Sequence, residues 1–384
     1  MRVLHIGKFY PPFAGGMENF LGDLLPALQD NGVEVAAVVH NHANGLGRDH
    51  QGTGSPAVYR VPCLGSLLYA PVSPEFPFIL RQVISRFKPD ILHLHMPNTS
   101  AFWVMVLPCA RRIPWVVHWH SDVVASEIDR RLAVSYRLYR PFEQRLLKCS
   151  ASIVATSRPY LETSTALSPW RNKCKVVELG MDPDRLDIPD NNLMEWAEAV
   201  WEGKKTRVLA IGRLTYYKGH EILIEAAAHA PNIRVLIVGE GDRKRRLQGR
   251  IKDLGLGNRV TLLGSVSDPK LHALLATCDC LCLPSIERTE AFGVVLLEAM
   301  RFAKPVVVSD VPGSGMGWVV KHKETGLLVR PGDAGDLAKA LQIMEKDQGF
   351  RKRMGSTALI RFNDVFRIDN VAQKIKSIYQ DVLY

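Results

Sequence analysis

The chain has 384 residues, which suits two domains, and its 47% apolar residues are enough for real cores beside an ordinary 23% charged. It holds no uninterrupted run of about 18 apolar residues, and its opening, MRVLHIGKFYPP, lacks the long apolar segment of a secretory signal. A cytoplasmic protein without a transmembrane helix is therefore expected. The net charge of +10 suits anionic ligands such as nucleic acid, phosphorylated sugars or anionic lipid, and does not choose among them.

Arg2 to Gly7 reads as a buried strand, Met17 to Asp30 as a helix stopped by Gly32, and Val33 to His40 as the next strand. Strand, helix, strand is how a parallel sheet opens. Gly15 and Gly16 stand just before the helix, where bare backbone can approach a phosphate or a sugar; a flexible turn would use the same residues. The dinucleotide fingerprint fails, because the spacing is not G-x-G-x-x-G and the second strand ends at His40 rather than at an acid. Residues 42–53, rich in Gly and His, read as a loop. Phe76 to Phe87 is helical, Ile91 to His95 a strand, Ala101 to Arg111 helical and Trp115 to His118 a strand. His93 and His95 alternate with apolar residues, as packed core or pocket-rim histidines do. Ligands of open parallel sheets bind beyond the carboxyl ends of the strands, which puts His120, in Trp119-His120-Ser121-Asp122, where chemistry would be. Ser126 to Lys148 is a basic amphipathic helix that Pro141 should kink or divide. Such a helix suits an anionic membrane, and equally a solvated basic face over a core stripe. Ser152 to Ser157 and Lys175 to Leu179 are the last strands of this half.

Residues 183–204, of mixed polarity, read as a linker between a first domain, 1–182 with the terminal helix 366–384, and a second, 205–365. The second half repeats the strand–helix alternation: strands at Arg207 to Ile211, Arg234 to Gly239, Val260 to Leu263, Cys278 to Leu283, Pro305 to Ser309 and Leu327 to Val329. The expected fold class is α/β, with two doubly wound, Rossmann-like domains facing a cleft. The seven cysteines lack zinc spacing; Cys278, Cys280 and Cys282 alternate along one strand, as small buried apolar residues do.

The richest stretch is LCLPSIERTEAFGVVLLEAMRF, Leu281 to Phe302. A strand ends at Pro284, a loop carries Glu290, and Gly293 turns the backbone into the apolar helix Val294 to Arg301. Unpaired amides at Ala291, Phe292 and Gly293 would make a seat for an anion such as phosphate. Glu298 lies one turn below Val294 on the same face, and a carboxylate there can accept hydrogen bonds from a ribose diol. E-x7-E alone is a weak pattern that helix caps also produce. In GRLTYYKG, Arg213 ends a strand and Lys218 precedes a helix, two cations suited to a diphosphate.

PS-x4-EAFGVVLLEAM-x3-KPVV, the R-x4-K pair Arg213/Lys218, the turns at Gly239 and Gly264 to Val266, and ETGLLVRPGD together resemble the retaining glycosyltransferases of family 4, also called group 1. The resemblance covers nearly the whole chain and is strongest from Arg213 to Arg330. It implies a GT-B type fold whose terminal helix crosses back onto the first half. It also implies transfer of a hexose from a nucleotide-diphosphate sugar to a glycan or lipid-linked acceptor, with retained anomeric configuration. His120, Arg213, Lys218 and Glu290 would be catalytic. Gly15, Gly16, Arg213, Lys218, Gly239, Val266, Glu290, Ala291, Phe292, Gly293, Val294 and Glu298 would bind the donor. No metal or other cofactor is expected, since no D-x-D motif ends a strand and two cations already face the phosphates. WHSD, the basic helix and VPGSGMGWV point towards surface polysaccharide or lipopolysaccharide assembly, with mannose slightly favoured and an anionic membrane as a further partner. The short SIERTEAFG loop leaves the donor's stereochemical class unread. Three other classes stay open: a nucleotide-sugar epimerase on the same architecture, an idle binding subunit, which the intact Arg213, Lys218, Glu290 and Glu298 argue against, and a nucleic-acid binder, which the lack of a basic run interleaved with aromatics argues against.

Overall fold

The structure is a computed structural model that describes residues 1–13, 15–42, 56–67, 70–123, 130–203 and 205–384, of which 130–134 by backbone alone. The chain forms two units, Met1–Asp182 with Arg367–Tyr384, and Pro183–Phe366.

The first unit is built on a seven-stranded parallel sheet: β1 Arg2–Ile6, β2 Glu34–His40, β3 Ala57–Val61, β4 Ile91–Met96, β5 Trp115–Trp119, β6 Ser152–Ala155 and β7 Cys174–Val176, in the order β3-β2-β1-β4-β5-β6-β7. The central strands are buried on both faces, as a sheet covered by helices requires, and each carries histidine among its apolar residues. The order reverses at β1, so the loops after β1 and β4 open at a switch point, where such sheets bind ligands. Helix α1, Gly16–Asp30, follows β1 and packs along the terminal helix α2, Ile368–Leu383. Polar contacts also fasten α2 to this unit: Lys374 Nζ donates to Glu178 at 2.7 Å and Lys376 Nζ to the Asn31 carbonyl at 2.7 Å.

The second unit carries a six-stranded parallel sheet: β8 Thr206–Ile211, β9 Ile233–Val238, β10 Val260–Gly264, β11 Cys280–Leu283, β12 Val306–Ser309 and β13 Gly326–Val329, in the order β10-β9-β8-β11-β12-β13. Its core includes Val208, Ile224, Val235, Ile237, Val307, Leu337 and Leu341. Cys278, Cys280 and Cys282 are buried free thiols. Burial pushes all three up, Cys278 to about 12, so they pack as small apolar groups rather than as reactive ones.

Three expectations are corrected. Residues 183–204 are not a linker: they belong to the second unit and hold a helix, Asn191–Trp201. Asp190 caps it by accepting from the Leu193 amide, and fully buried Trp201 donates its indole N–H to Thr277 Oγ1 at 2.9 Å. Only Ala197 and Trp201 of that helix are buried, so its apolar stripe is too narrow to stand out in the sequence. Ala101 to Arg111 is not one helix but two tight turns, Thr99–Met105 and Ala110–Arg112, separated at Pro108, which has no N–H to continue a helix. The basic helix runs from Arg130 to Cys149 and continues through Pro141; the expected residues 126–129, like 43–53 of the Gly/His-rich loop, lie outside the described residues.

Candidate active site

The helix that follows β11, α3, spans Val294–Arg301. Its cap residue, Gly293, has φ 79°, the left-handed region in which a side chain would be strained; a Cβ there would also meet Leu296 Cδ1 at 2.9 Å. No side chain caps this helix. Among the described residues, the amides of Ala291, Phe292 and Gly293 have no acceptor. Three open amides beside a helix start make a seat of positive potential. The loop ahead of it is held by residues the motif reading passed over: Ser314 Oγ donates to the Glu290 carbonyl at 2.5 Å and the Gly315 amide to the Ala291 carbonyl at 2.7 Å.

The two cations come from the loop after β8. Lys218 Nζ lies 2.5 Å from Glu290 Oε2, both side chains being mostly buried. Burial alone would push the Lys218 ammonium down; the Glu290 carboxylate, with Tyr217, outweighs this and holds it above the ordinary lysine range. Lys218 is thus a fixed cation. Arg213 is exposed, and its Nη2 donates to the Tyr217 hydroxyl at 3.3 Å. Two bonds tie this loop to the Glu290 loop: the Ile286 amide donates to the Tyr217 carbonyl at 2.8 Å, and the Tyr216 hydroxyl to Glu287 Oε2 at 2.6 Å. Gly219, at φ 66°, permits the approach, since a Cβ there would lie 2.0 Å from the Pro284 carbonyl oxygen. Arg213, Lys218, Glu290 and the helix start are therefore gathered at the carboxyl edge of β8 and β11, adjacent strands in the sheet.

Glu298 sits in α3 as expected, but with a partner the sequence did not suggest: Arg185 Nη2 lies 3.7 Å from its Oε1. Arg301 Nε also donates to the Pro183 carbonyl at 3.3 Å, so the start of the second unit lies along this helix. Gly239 follows β9 and donates its amide to the Gly264 carbonyl at 2.9 Å; Val266 is half-buried in the next loop. Gly239 lies against the backbone that leads into Arg213, a Cβ there being 2.0 Å from the Gly212 carbonyl oxygen and 3.7 Å from the Arg213 nitrogen.

Gly15, Gly16 and His120 lie in the first unit. Gly16 is the first residue of α1 and Gly15 its extended cap, whose carbonyl accepts from the Asn19 amide at 2.9 Å. The turn bearing His120 is pinned by Asp122, whose Oδ1 accepts from Trp119 Nε1 at 2.8 Å and from Ser164 Oγ at 2.7 Å. His120 is not solitary. Register pairs His5 with His93 and His95 with His118, and the two-residue strand period adds His120, so five histidines share one face of the sheet. His5 Nδ1 lies 3.0 Å from His95 Nε2, and His95 Nδ1 lies 2.9 Å from His120 Nε2. Burial holds all five well below the ordinary histidine range, His95 at about 3. The repeated H-x-H of His93/His95 and His118/His120 is the sequence signal that could have revealed this column.

The sequence profile of the glycosyl transferases group 1 matches residues 195–360, and that of the glycosyl transferase 4-like domain residues 15–180. A D-rhamnosyltransferase of Pseudomonas aeruginosa is 31% identical over 373 residues, covering 95% of this chain and 92% of its own. The chain belongs to the group 1 glycosyltransferases. The O-antigen chain mannosyltransferase C of Escherichia coli is 27% identical over 395 residues, covering 100% of this chain and 99% of its own. Among solved structures, the Anabaena protein Alr3699/HepE in complex with UDP and glucose superposes with a TM-score of 0.78 at 22% identity, covering 99% of this chain and 100% of that one. These likenesses support a glycosyltransferase of GT-B type and give the epimerase reading no support.

Proposed function

We propose that this glycosyltransferase moves a hexose, mannose first among them, from a nucleotide-diphosphate sugar to a glycan or lipid-linked acceptor in surface polysaccharide or lipopolysaccharide synthesis, with retained anomeric configuration. The observation that carries it is the open helix start at Ala291–Gly293 beside the Lys218–Glu290 pair and Arg213. A nucleoside diphosphate is already a fair leaving group, so the barrier lies in charge growing on phosphate. Lys218, Arg213 and the helix start oppose that charge from fixed positions. With two cations and three amides available, no divalent metal is needed. Glu290 positions the sugar, and Glu298 accepts from the ribose hydroxyls. His120, in the first unit, offers a ring nitrogen to a sugar hydroxyl. The relatives named for mannosyl and rhamnosyl transfer support a deoxyhexose or hexose donor. Incubating the protein with GDP-mannose and UDP-hexoses over lipid-linked and free glycan acceptors, and reading the anomeric configuration of the product by NMR, tests the reading. An inverted product, or free sugar-nucleotide interconversion without an acceptor, contradicts it.

The two glutamates have separable roles. Glu298→Gln should weaken nucleoside diphosphate binding by roughly 1.5–3 kcal/mol, as for hydrogen bonds to a charged group. Glu290→Gln should spare that affinity and lower turnover, since an interaction felt mainly in the transition state appears in kcat. Calorimetric titration of both variants, followed by transfer rates, separates them; equal losses of nucleotide affinity would show that the division is wrong.

A lipid-linked acceptor requires a membrane surface, which we place on the cytoplasmic side. Among the described residues no helix is long and apolar enough to cross a membrane. The helix Arg130–Cys149 instead exposes Leu138 and Phe142, one turn apart, among exposed Arg137, Arg140, Arg145 and Lys148. Phe102 packs against Tyr139 and Phe142, and the same turn exposes Trp103. Apolar side chains among arginines suit an anionic interface, at about 1 kcal/mol per basic residue near the surface. Flotation with anionic vesicles should show salt-sensitive binding that neutral vesicles lack; absent binding to both at low salt would leave a soluble acceptor.

A further inference from the structure

The histidine column continues past His5. His93 Nδ1 lies 2.5 Å from the hydroxyl of Tyr379, on the terminal helix α2, and that hydroxyl lies 3.5 Å from His5 Nε2. His93, Tyr379, His5, His95 and His120 thus form one unbranched chain of hydrogen bonds running from the terminal helix to the carboxyl end of β5.

A neutral imidazole has one N–H and one bare nitrogen, so every link constrains the next. A Tyr379 oxygen that accepted from both His93 and His5 would orphan its own O–H in the core, which leaves two directions. In one, His120 Nε2 donates inward; the protons then pass down the chain and leave His93 with an N–H on Nε2. In the other, His93 Nδ1–H donates to the Tyr379 oxygen, Tyr379 O–H to His5 Nε2, His5 Nδ1–H to His95 Nε2 and His95 Nδ1–H to His120 Nε2. His120 then carries its proton on Nδ1. Both His93 Nε2 and His120 Nδ1 are buried and lack a hydrogen-bond partner among the described residues, so the direction decides which end holds the unpaired donor. An orphaned N–H costs more than an orphaned lone pair. His93 is 0% exposed in the core, whereas His120 is 7% exposed at the strand end. The second direction leaves the chain only a lone pair at its core end and puts its N–H at the carboxyl end of the sheet, where open parallel sheets take their ligands.

We propose that His95, His5, His93 and Tyr379 are positioning residues that hold His120 as its Nδ1–H tautomer, so that it donates to a hydroxyl oxygen of the bound sugar. The proposal rests on the glycosyl-transfer reading for its ligand, and on the hydrogen-bond chain alone for its tautomer. It makes His120 a fixed donor, not a base. It also gives α2 a role beyond packing, because the Tyr379 hydroxyl carries the chain from His93 to His5.

The test is long-range 1H–15N correlation on ligand-free protein labelled at its histidine nitrogens, with His120 assigned by its loss in His120→Gln. Wild type should show a protonated Nδ1 and a bare Nε2 at His120. His95→Asn keeps a donor near the Nδ1 position and should preserve this pattern. His95→Phe keeps the ring but not the donor and should mix or reverse it, with kcat/KM roughly tenfold lower, about the worth of one hydrogen bond. His118→Phe replaces a ring stacked 4.4 Å from His120 but outside the chain, and should leave the tautomer unchanged. Mere packing predicts the opposite ranking, with Phe better tolerated than Asn. A protonated Nε2 in wild type, or a tautomer that His95→Phe leaves alone, overturns the proposal. So does a stoichiometric metal ion retained on His95, His118 and His120, whose ligating nitrogens lie within 4.8 Å of one another. A tautomer that moves while kcat/KM does not overturns the positioning role. Absence of transfer by wild type counts against the glycosyl-transfer reading instead, so the two failures are read in different experiments.

Discussion

Lys218→Ala should lower turnover by roughly a hundredfold or more while the second unit stays folded, as losing one preorganised donor to developing charge does elsewhere. The structure sharpens this expectation beyond the loss of a cation. Lys218 neutralises Glu290 at 2.5 Å, and both are mostly buried beside the open helix start. Removing the lysine leaves the Glu290 carboxylate without its cation beside the proposed diphosphate seat, so nucleotide affinity should fall as well as rate. Adding Glu290→Gln to the Lys218→Ala background should then restore part of that affinity, a coupling of opposite sign to two independent losses. Arg213→Ala should also slow transfer, with smaller damage to binding, because Arg213 is exposed and pairs with the Tyr217 hydroxyl rather than with an acid. Transfer rates and calorimetry on five proteins, wild type, the three single variants and the double, decide it. Near-normal turnover in Lys218→Ala, or a double variant that binds nucleotide no better than Lys218→Ala, contradicts the arrangement.

Acidification from pH 7 to pH 5 should destabilise the first unit strongly. His5, His93, His95, His118 and His120 all titrate well below the ordinary range in the fold, through burial. A lowered folded pKa means that stability is present above the unfolded value, 6.5, and is lost as pH falls below it. Over this interval each histidine that stays neutral in the fold costs about 2 kcal/mol. Glu143 works the other way. Burial raises its carboxyl to about 7, so its penalty, present at neutral pH, fades towards pH 5 and returns about 2 kcal/mol, the equivalent of one histidine. The remaining histidines take a large part of the 5–15 kcal/mol that holds a domain together. The second unit has fewer such groups; His220 is held at about 3 and His272 is lowered, both through burial. Hydrogen exchange read by mass spectrometry should therefore show residues 1–182 opening at a higher pH than residues 183–366. Exchange that does not change between pH 7 and pH 5 would mean that the column is not neutral and buried.

The parts of the site legible in the sequence were those written in local pattern. Apolar runs ending in Pro or Gly located β11 and α3, and the GRLTYYKG and EAFG motifs located the cations and the helix start, because each depends on residues near in sequence. What was not legible depends on pairs far apart in the chain. The Arg185–Glu298 pair spans more than a hundred residues, and Arg185 stands in a segment whose polarity reads as a linker. The Lys218–Glu290 contact needs β8 and β11 to be neighbours, a matter of strand order that spacing does not reveal. Ser314 and Gly315 hold the loop through atoms that carry no motif. The histidine column was half legible: alternation put His93 and His95 on one face, but only strand order and register brought His5, His118 and His120 beside them.

The helix start at Ala291–Gly293, with Lys218 and Arg213, is proposed to seat a nucleoside diphosphate. Calorimetric titration of GDP, UDP and the corresponding unphosphorylated nucleosides into the wild-type protein tests it most directly. One diphosphate should bind at a single site and its nucleoside far more weakly, with the difference largely lost in Lys218→Ala. Nucleosides that bind as well as their diphosphates, or diphosphate binding that Lys218→Ala leaves intact, would contradict it.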